Sequence, residues 1–296
     1  MISNPRPGIL VETISIAEGG ATAEINTLGA HVVRVSLGGR PLIKPGSDGT
    51  QTRGGIAVLI PYAGRVRDGR YQFEGRSYQL PIERDGHAIH GFAKDARWRI
   101  LRKRVNSVIL ASRLKDKGYP GVLEARIRYS IGRVEFSTEC SVRNVSRGDC
   151  PLVIGFHPYF LADDWKISVG GTSYRYELGD GYFPTGKRAQ FSFRQVSQKT
   201  KLDDCFRVGG TLRLLTGEHE VVIRRKSMPY LVVYNGEYAE GRSVAIEPYT
   251  GLDDAYNNGI GLRILGPGEM FRCGYGFALG GVVTKTQTAW DRAGSI

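Results

Sequence analysis

Apolar and polar side chains alternate with period two along most of the chain, the pattern of strands that bury one face. The alternation predicts strands at residues 10–16, 21–25, 29–35, 98–104, 107–114, 123–131 and 134–142. It resumes at 211–215, 220–225, 230–234, 243–246, 261–265 and 274–279. Residues 71–80 predict a hairpin turning at Glu74-Gly75. No stretch of about ten residues or more carries a convincing 3.6-residue apolar period, so helices are expected to be few and short. Residues 178–193, with Gly179-Asp180-Gly181 and Pro184, are expected to form a loop. Many short strands without long helices predict an all-β chain of large antiparallel sheets packed as a sandwich.

Composition narrows this picture. The chain has 296 residues, which an all-β chain can hold in one domain. A single domain over residues 1–296 is expected, with a polar, loosely attached tail at 284–296. The 40 glycines are scattered without period, as tight turns between short strands require. No apolar run approaches the roughly 18 residues of a membrane span, and the N-terminal residues lack the basic-then-apolar plan of a signal peptide. Cys140, Cys150, Cys205 and Cys273 form no CxxC pair. Reduced thiols, no membrane contact and a cytoplasmic location are expected.

The net charge of +12 raises the question of nucleic acid. The basic residues fall in short clumps, Arg97 to Arg104 and Arg224 to Lys226, inside alternating segments and without a nucleic-acid-binding motif. They are expected on solvated faces, and no nucleic-acid partner is expected. An anionic small molecule such as a sugar phosphate is a better use of the charge.

Four stretches break the strand pattern in a way that suggests chemistry. Ile154-Gly155-Phe156-His157-Pro158-Tyr159-Phe160 sets a histidine between aromatic groups and before a proline, which predicts His157 at the end of a strand. Imidazole exchanges protons near neutral pH, and the flat face of Tyr159 suits the C–H face of a sugar or a core. A buried histidine hydrogen-bonded at a strand end remains the plain alternative. Ala245-Ile246-Glu247-Pro248-Tyr249 follows an apolar strand with a carboxylate and a proline. Residues 60–69 carry Arg65 and Arg67, and residues 85–92 carry His87 and His90. A charged group just past an apolar strand is a site candidate.

These pieces resemble the aldose 1-epimerase (mutarotase) family. The matching motifs are Gly64-Arg65-Val66 with Gly69-x-Tyr71-x-Phe73 and Gly75-x-x-Tyr78-x-Leu80, Gly86-His87-x-x-His90-Gly91, His157-Pro158-Tyr159-Phe160, Leu202-Asp203-Asp204-Cys205-Phe206, and Glu247-Pro248 with Asn257 and Pro267-Gly268-Glu269. They run in the family's order from about residue 29 to about residue 269. The resemblance implies a β-supersandwich with a sugar-binding cleft. It implies Glu247 as general base on the anomeric hydroxyl, His157 as general acid on the ring oxygen, and His90 as a second histidine on the same region. Arg65 and Asp203 match positions that hold sugar hydroxyls. His87 stands where the family commonly has asparagine, and the loop after Glu247 departs from the usual proline-rich one. With ordinary pKa values the resting pair would be an ionised Glu247 beside a protonated His157. No cofactor and no metal is required by this chemistry.

Alternatives remain at this point. A hexose-6-phosphate 1-epimerase is suggested by His90-Gly91-Phe92-Ala93-Lys94 with Trp98, and by the net charge. A non-catalytic carbohydrate-binding protein would share the fold. His87, His90, His157 and Glu247 as a metal set is a weaker reading. Trp98 suits the core or a sugar-stacking wall. Asp204 competes with Asp203 for the sugar contact, and His31 and His219 are expected to be structural.

Overall fold

The alternation in the sequence is an alternation of burial. In the strands Leu123–Ile131 and Glu135–Asn144 every second side chain is buried. The computed structural model describes residues 11–280 other than 48, 84 and 181. The tail expected at 284–296 lies outside the described residues. Among the described residues, no helix is long and apolar enough to cross a membrane. Helices among the described residues amount to one turn, Ala255–Asn258, and a few 3-10 turns.

Two large antiparallel sheets carry the fold. Among the described residues the first has 11 strands and the second 8. The second runs in spatial order Arg99–Arg104, Ser107–Leu114, Leu123–Ile131, Glu135–Asn144, Met270–Leu279, Glu220–Lys226, Leu212–Thr216 and Trp165–Val169. Its inner face meets the first sheet through aromatic contacts, with Phe156 against Tyr275 at 4.9 Å and Phe160 against Phe277 at 5.1 Å. Trp98 is in this apolar core, its indole N–H donating to Ala93 O at 3.1 Å, so it forms no sugar wall.

The centre of the first sheet positions the site. Its neighbouring strands there are Ile56–Leu59, Gly155–Leu161, Ser243–Tyr249, Tyr230–Tyr234 and Asp203–Val208. The first four are buried along nearly their whole length, because both faces are covered. Side chains of opposite parity go to opposite faces. Val58, Phe156, Ile246, Leu231 and Phe206 join the core between the sheets. Ala57, Leu59, Tyr249, Val232, Tyr230 and Cys205 form a separate apolar cluster on the other face. His157, Glu247 and Asp203 have the parity of that second face.

Three expectations need correction. His157 is in the middle of Gly155–Leu161, not at a strand end, and Glu247 is followed by strand as far as Tyr249. The prolines do not stop these strands. They leave a gap in the ladder instead: the two strands pair at Gly155–Tyr249 and again at Tyr159–Ala245, with no paired residues between. Pro158 and Pro248 lie in that gap and have no N–H to donate. Residues 178–193 are also not a loop, since Ser173–Gly179 and Phe183–Gln190 pair as an antiparallel hairpin. Phe183–Gln190 is an edge strand exposed along most of its length, so it lacks the alternation that would reveal it.

Gly91 fixes the turn that carries His90. Its φ of +63° is in the left-handed region, and a Cβ there would fall 2.2 Å from the Ile60 carbonyl oxygen. Gly91→Ala is expected to destabilise the protein by about 1–3 kcal/mol. A lower urea midpoint with an unchanged slope would show it, and an unaltered midpoint would contradict it.

Candidate active site

The register around the proline gap brings the acid–base candidates together. Gly155 opposes Tyr249 and Tyr159 opposes Ala245, so His157 and Glu247 are bracketed opposite one another on the same face. His157 Nε2 is 3.4 Å from Glu247 Oε1. Both side chains are buried, at 6% and 2% exposure. Glu247 Oε2 accepts a 2.5 Å hydrogen bond from the Tyr249 hydroxyl, two residues along the same strand.

His90 completes the corner. Its ring meets that of His157 edge to face at 5.3 Å. Its backbone has φ +64°, and its Nδ1 is buried without a protein partner among the described residues. The short ladder Arg65–Val66 with Ala88–Ile89 sets Arg65 beside the turn holding His87 and His90. Arg65 Nε donates to Asp85 at 2.7 Å, and its guanidinium lies over the Tyr182 ring at 4.1 Å.

The remaining candidates fall into different places. Asp203 is exposed at the start of its strand, and its charge acts on both Glu247 and Arg65. Asp204 points to the opposite face, where Arg175 binds it at 2.7 Å. His87 is at the rim, accepting at Nδ1 from the Asp68 N–H and packed edge-on to Phe183. Tyr159 does not offer its face to a ligand. It is 1% exposed, stacked on His157 at 4.9 Å, with its hydroxyl donating to Thr52 O. The expected sugar contact is thus a support behind the histidine.

Burial sets the protonation of the pair. Loss of hydration lowers His157 to about 3 and raises Glu247 well above its usual value of 4.5. For Glu247 the Tyr249 hydrogen bond opposes burial, Asp203 and Asp253 add to it, and Arg65 opposes it. Burial therefore favours the neutral form of each group, with the shared proton on Glu247. This corrects the expectation of an ionised Glu247 beside a protonated His157, because neither charge recovers its lost hydration across a 3.4 Å gap. Burial, and next the neighbouring His157, also lower His90.

Two groups were missed from the sequence. Tyr249 falls after Pro248, beyond the strand expected at 243–246, so its i, i+2 relation to Glu247 on one strand was hidden. Asp253 is buried and accepts from the Arg65 backbone N–H at 2.8 Å, while Asp254 Oδ1 accepts from that of Arg67 at 2.9 Å. Burial raises Asp253 to about 6. The signal available was two adjacent carboxylates in the loop after Glu247.

The chain belongs to the aldose 1-epimerase family, whose sequence model matches residues 12–277. It is 28% identical over 281 residues to the uncharacterised protein YihR of Escherichia coli K12, covering 88% of this chain and 91% of that one. It is 29% identical over 137 residues to the aldose 1-epimerase of the same organism, covering 43% and 38%. The fold is similar to that of a galactose mutarotase-like protein from Clostridium acetobutylicum, with TM-score 0.80, 17% identity, and 92% and 98% of the chains covered. It is likewise similar to galactose 1-epimerase from Lactobacillus acidophilus NCFM, with TM-score 0.75, 19% identity, and 94% and 97% covered.

Proposed function

We propose that this protein is an aldose 1-epimerase that interconverts the α and β anomers of a free aldohexose or a related sugar. The observation that carries this reading is the buried His157–Glu247 pair at 3.4 Å. Ring opening needs one proton taken from O1 and one delivered to the neighbouring ring oxygen O5. The neutral pair and the ion pair contain the same single proton. A sugar hydroxyl that donates to the Glu247 carboxylate stabilises its charged form and drives that proton to His157.

Glu247 then takes the O1 proton while His157 protonates O5. The C1–O5 bond breaks, its electrons going to O5, and O1 becomes the aldehyde oxygen. Rotation about C1–C2 exposes the other face, and reclosure reverses both transfers. His90 beside His157 faces the same oxygens, and Arg65 and Asp203 hold hydroxyls. A binding protein has no use for a buried acid–base pair, whose desolvation is costly.

The rim favours a neutral sugar over a sugar phosphate. Arg65 is bound by Asp85, Arg67 by Asp180, and Lys94 by Asp95, each at 2.6–2.7 Å. A phosphate would have to displace these carboxylates. Anomer exchange followed by NMR in glucose, galactose and glucose 6-phosphate tests the assignment. Faster exchange is expected in at least one free sugar, and exchange in the phosphate alone would overturn the neutral-sugar reading.

The pair also fixes the pH profile. One proton must remain on it, so kcat/KM is expected to hold well below pH 6.5 and to fall as pH rises through the raised value of Glu247. A fall centred on 6.5 as the pH drops would contradict a His157 lowered to about 3. Arg65→Ala is expected to raise KM by about tenfold with little change in kcat, as loss of a ground-state contact does. A loss confined to kcat would place Arg65 on the transition state instead.

A further inference from the structure

Tyr249 has no place in the proton transfers above, yet it is built into them. Glu247 and Tyr249 are i and i+2 on one strand, so they share a face, roughly 6.6 Å apart along it. The phenol reaches back along the strand to Glu247 Oε2 at 2.5 Å, a short hydroxyl–carboxyl hydrogen bond. Oε1 is left for His157. Tyr249 is 1% exposed and packs in the apolar cluster beneath the site, so it does not touch a ligand.

The neighbouring strand makes room for this ring. Gly155 pairs with Tyr249 across the ladder. A Cβ at Gly155 would lie 2.6 Å from Tyr249 Cδ1, 2.7 Å from Cε1 and 2.6 Å from the Ala63 Cβ. The φ of Gly155 is not in the left-handed region, so glycine is needed here for space and not for backbone conformation. His157 and Gly155 are again i and i+2. One strand supplies the histidine and the gap, and its neighbour supplies the carboxylate and the ring that fills the gap.

We propose that Tyr249 is a positioning residue for Glu247, seated by the missing side chain of Gly155, and that its hydrogen bond turns Oε1 toward His157 and favours the carboxylate form. The charged and titratable groups around Glu247 are Tyr249 on its own strand, His157 on the next, Asp203 beyond, Asp253 in the following loop, and Arg65 across the cleft. Tyr249 itself also faces Cys205 and Asp253. Of these groups, Tyr249 is the one that hydrogen-bonds Glu247 Oε2 among the described residues. This inference rests on Glu247 being the base of an epimerase.

The test compares wild type with Tyr249→Phe and Gly155→Ala. Tyr249→Phe keeps the ring and loses only the donor. It is expected to lower kcat by about 10- to 100-fold with KM within about twofold. Loss of a donor to the charged form raises the proton affinity of Glu247, so the alkaline limb is expected to move up by about one to two pH units. Gly155→Ala, which retains the hydroxyl but displaces the ring, is expected to move the limb the same way. Titration of Glu247 by NMR in protein carrying 13C-labelled glutamate reads the same shift without turnover. A shifted titration in a protein that exchanges no sugar supports the positioning and overturns the epimerase reading. Folded Tyr249→Phe with an unshifted Glu247 titration, or with lower thermal stability and wild-type kinetics, overturns the positioning itself.

Discussion

Glu247→Gln is expected to lower kcat for anomer exchange by about 10²–10⁴-fold while the protein stays folded. Glutamine keeps the volume of the side chain and an oxygen that can accept from Tyr249, but its amide cannot take the O1 proton. Burial already favours the neutral carboxyl, raising it well above 4.5, so a neutral amide asks little new of the buried site. The substitution also changes how stability depends on pH. A carboxyl raised in the folded state holds its proton more tightly there than in the unfolded chain. Its contribution is fully present below 4.5 and is lost as pH rises through the raised value. Glu247→Gln removes that loss, so its melting temperature is expected to fall less than that of wild type as pH rises above 4.5. Polarimetry and thermal unfolding check the two halves. Activity within a few-fold of wild type would remove Glu247 as the base.

His157→Asn is expected to cost a similar factor in kcat, about 10²–10⁴-fold, since O5 then departs without its proton. Its stability has the opposite pH dependence. The unfolded imidazole binds a proton near 6.5, whereas the folded one resists it down to about 3. Between those values the unfolded state binds more protons, so wild-type stability falls as pH falls. His157→Asn removes that term and is expected to melt at temperatures that depend less on pH between 6.5 and 3. The same melting curve slope as wild type across that window would contradict a neutral, buried His157.

Much of this was legible in the sequence because burial and alternation coincide. A strand such as Leu123–Ile131 buries one face, so period two marks it at its full length. Phe183–Gln190 escaped because an edge strand with little buried surface shows no such period. The prolines misled for another reason. A proline removes a donor, which ends a strand only if the ladder needs that donor, and here the two strands leave the span between Gly155–Tyr249 and Tyr159–Ala245 unpaired.

The site was legible as motifs and opaque as geometry. The residue types of His157, Glu247, His90 and Arg65 point to proton transfer beside sugar hydroxyls, and the fold sets Glu247 and His90 against His157 and Arg65 beside the turn that holds His90. Tyr159 is different: its parity is that of His157, but Ala239, Ala245 and Tyr234 pack against it and turn an apparent platform into a backing. Protonation was beyond the sequence altogether, since it depends on how completely the pair leaves water. Tyr249 and Asp253 became visible only when register and loop contacts were known.

Polarimetry on freshly dissolved α-glucose and α-galactose, at neutral pH and with folded protein, tests the central claim most directly. The His157–Glu247 pair is expected to bring at least one of these sugars to its anomeric equilibrium faster than the uncatalysed rate, in proportion to protein concentration. Relaxation of both sugars at the uncatalysed rate, whatever the protein concentration, would contradict it.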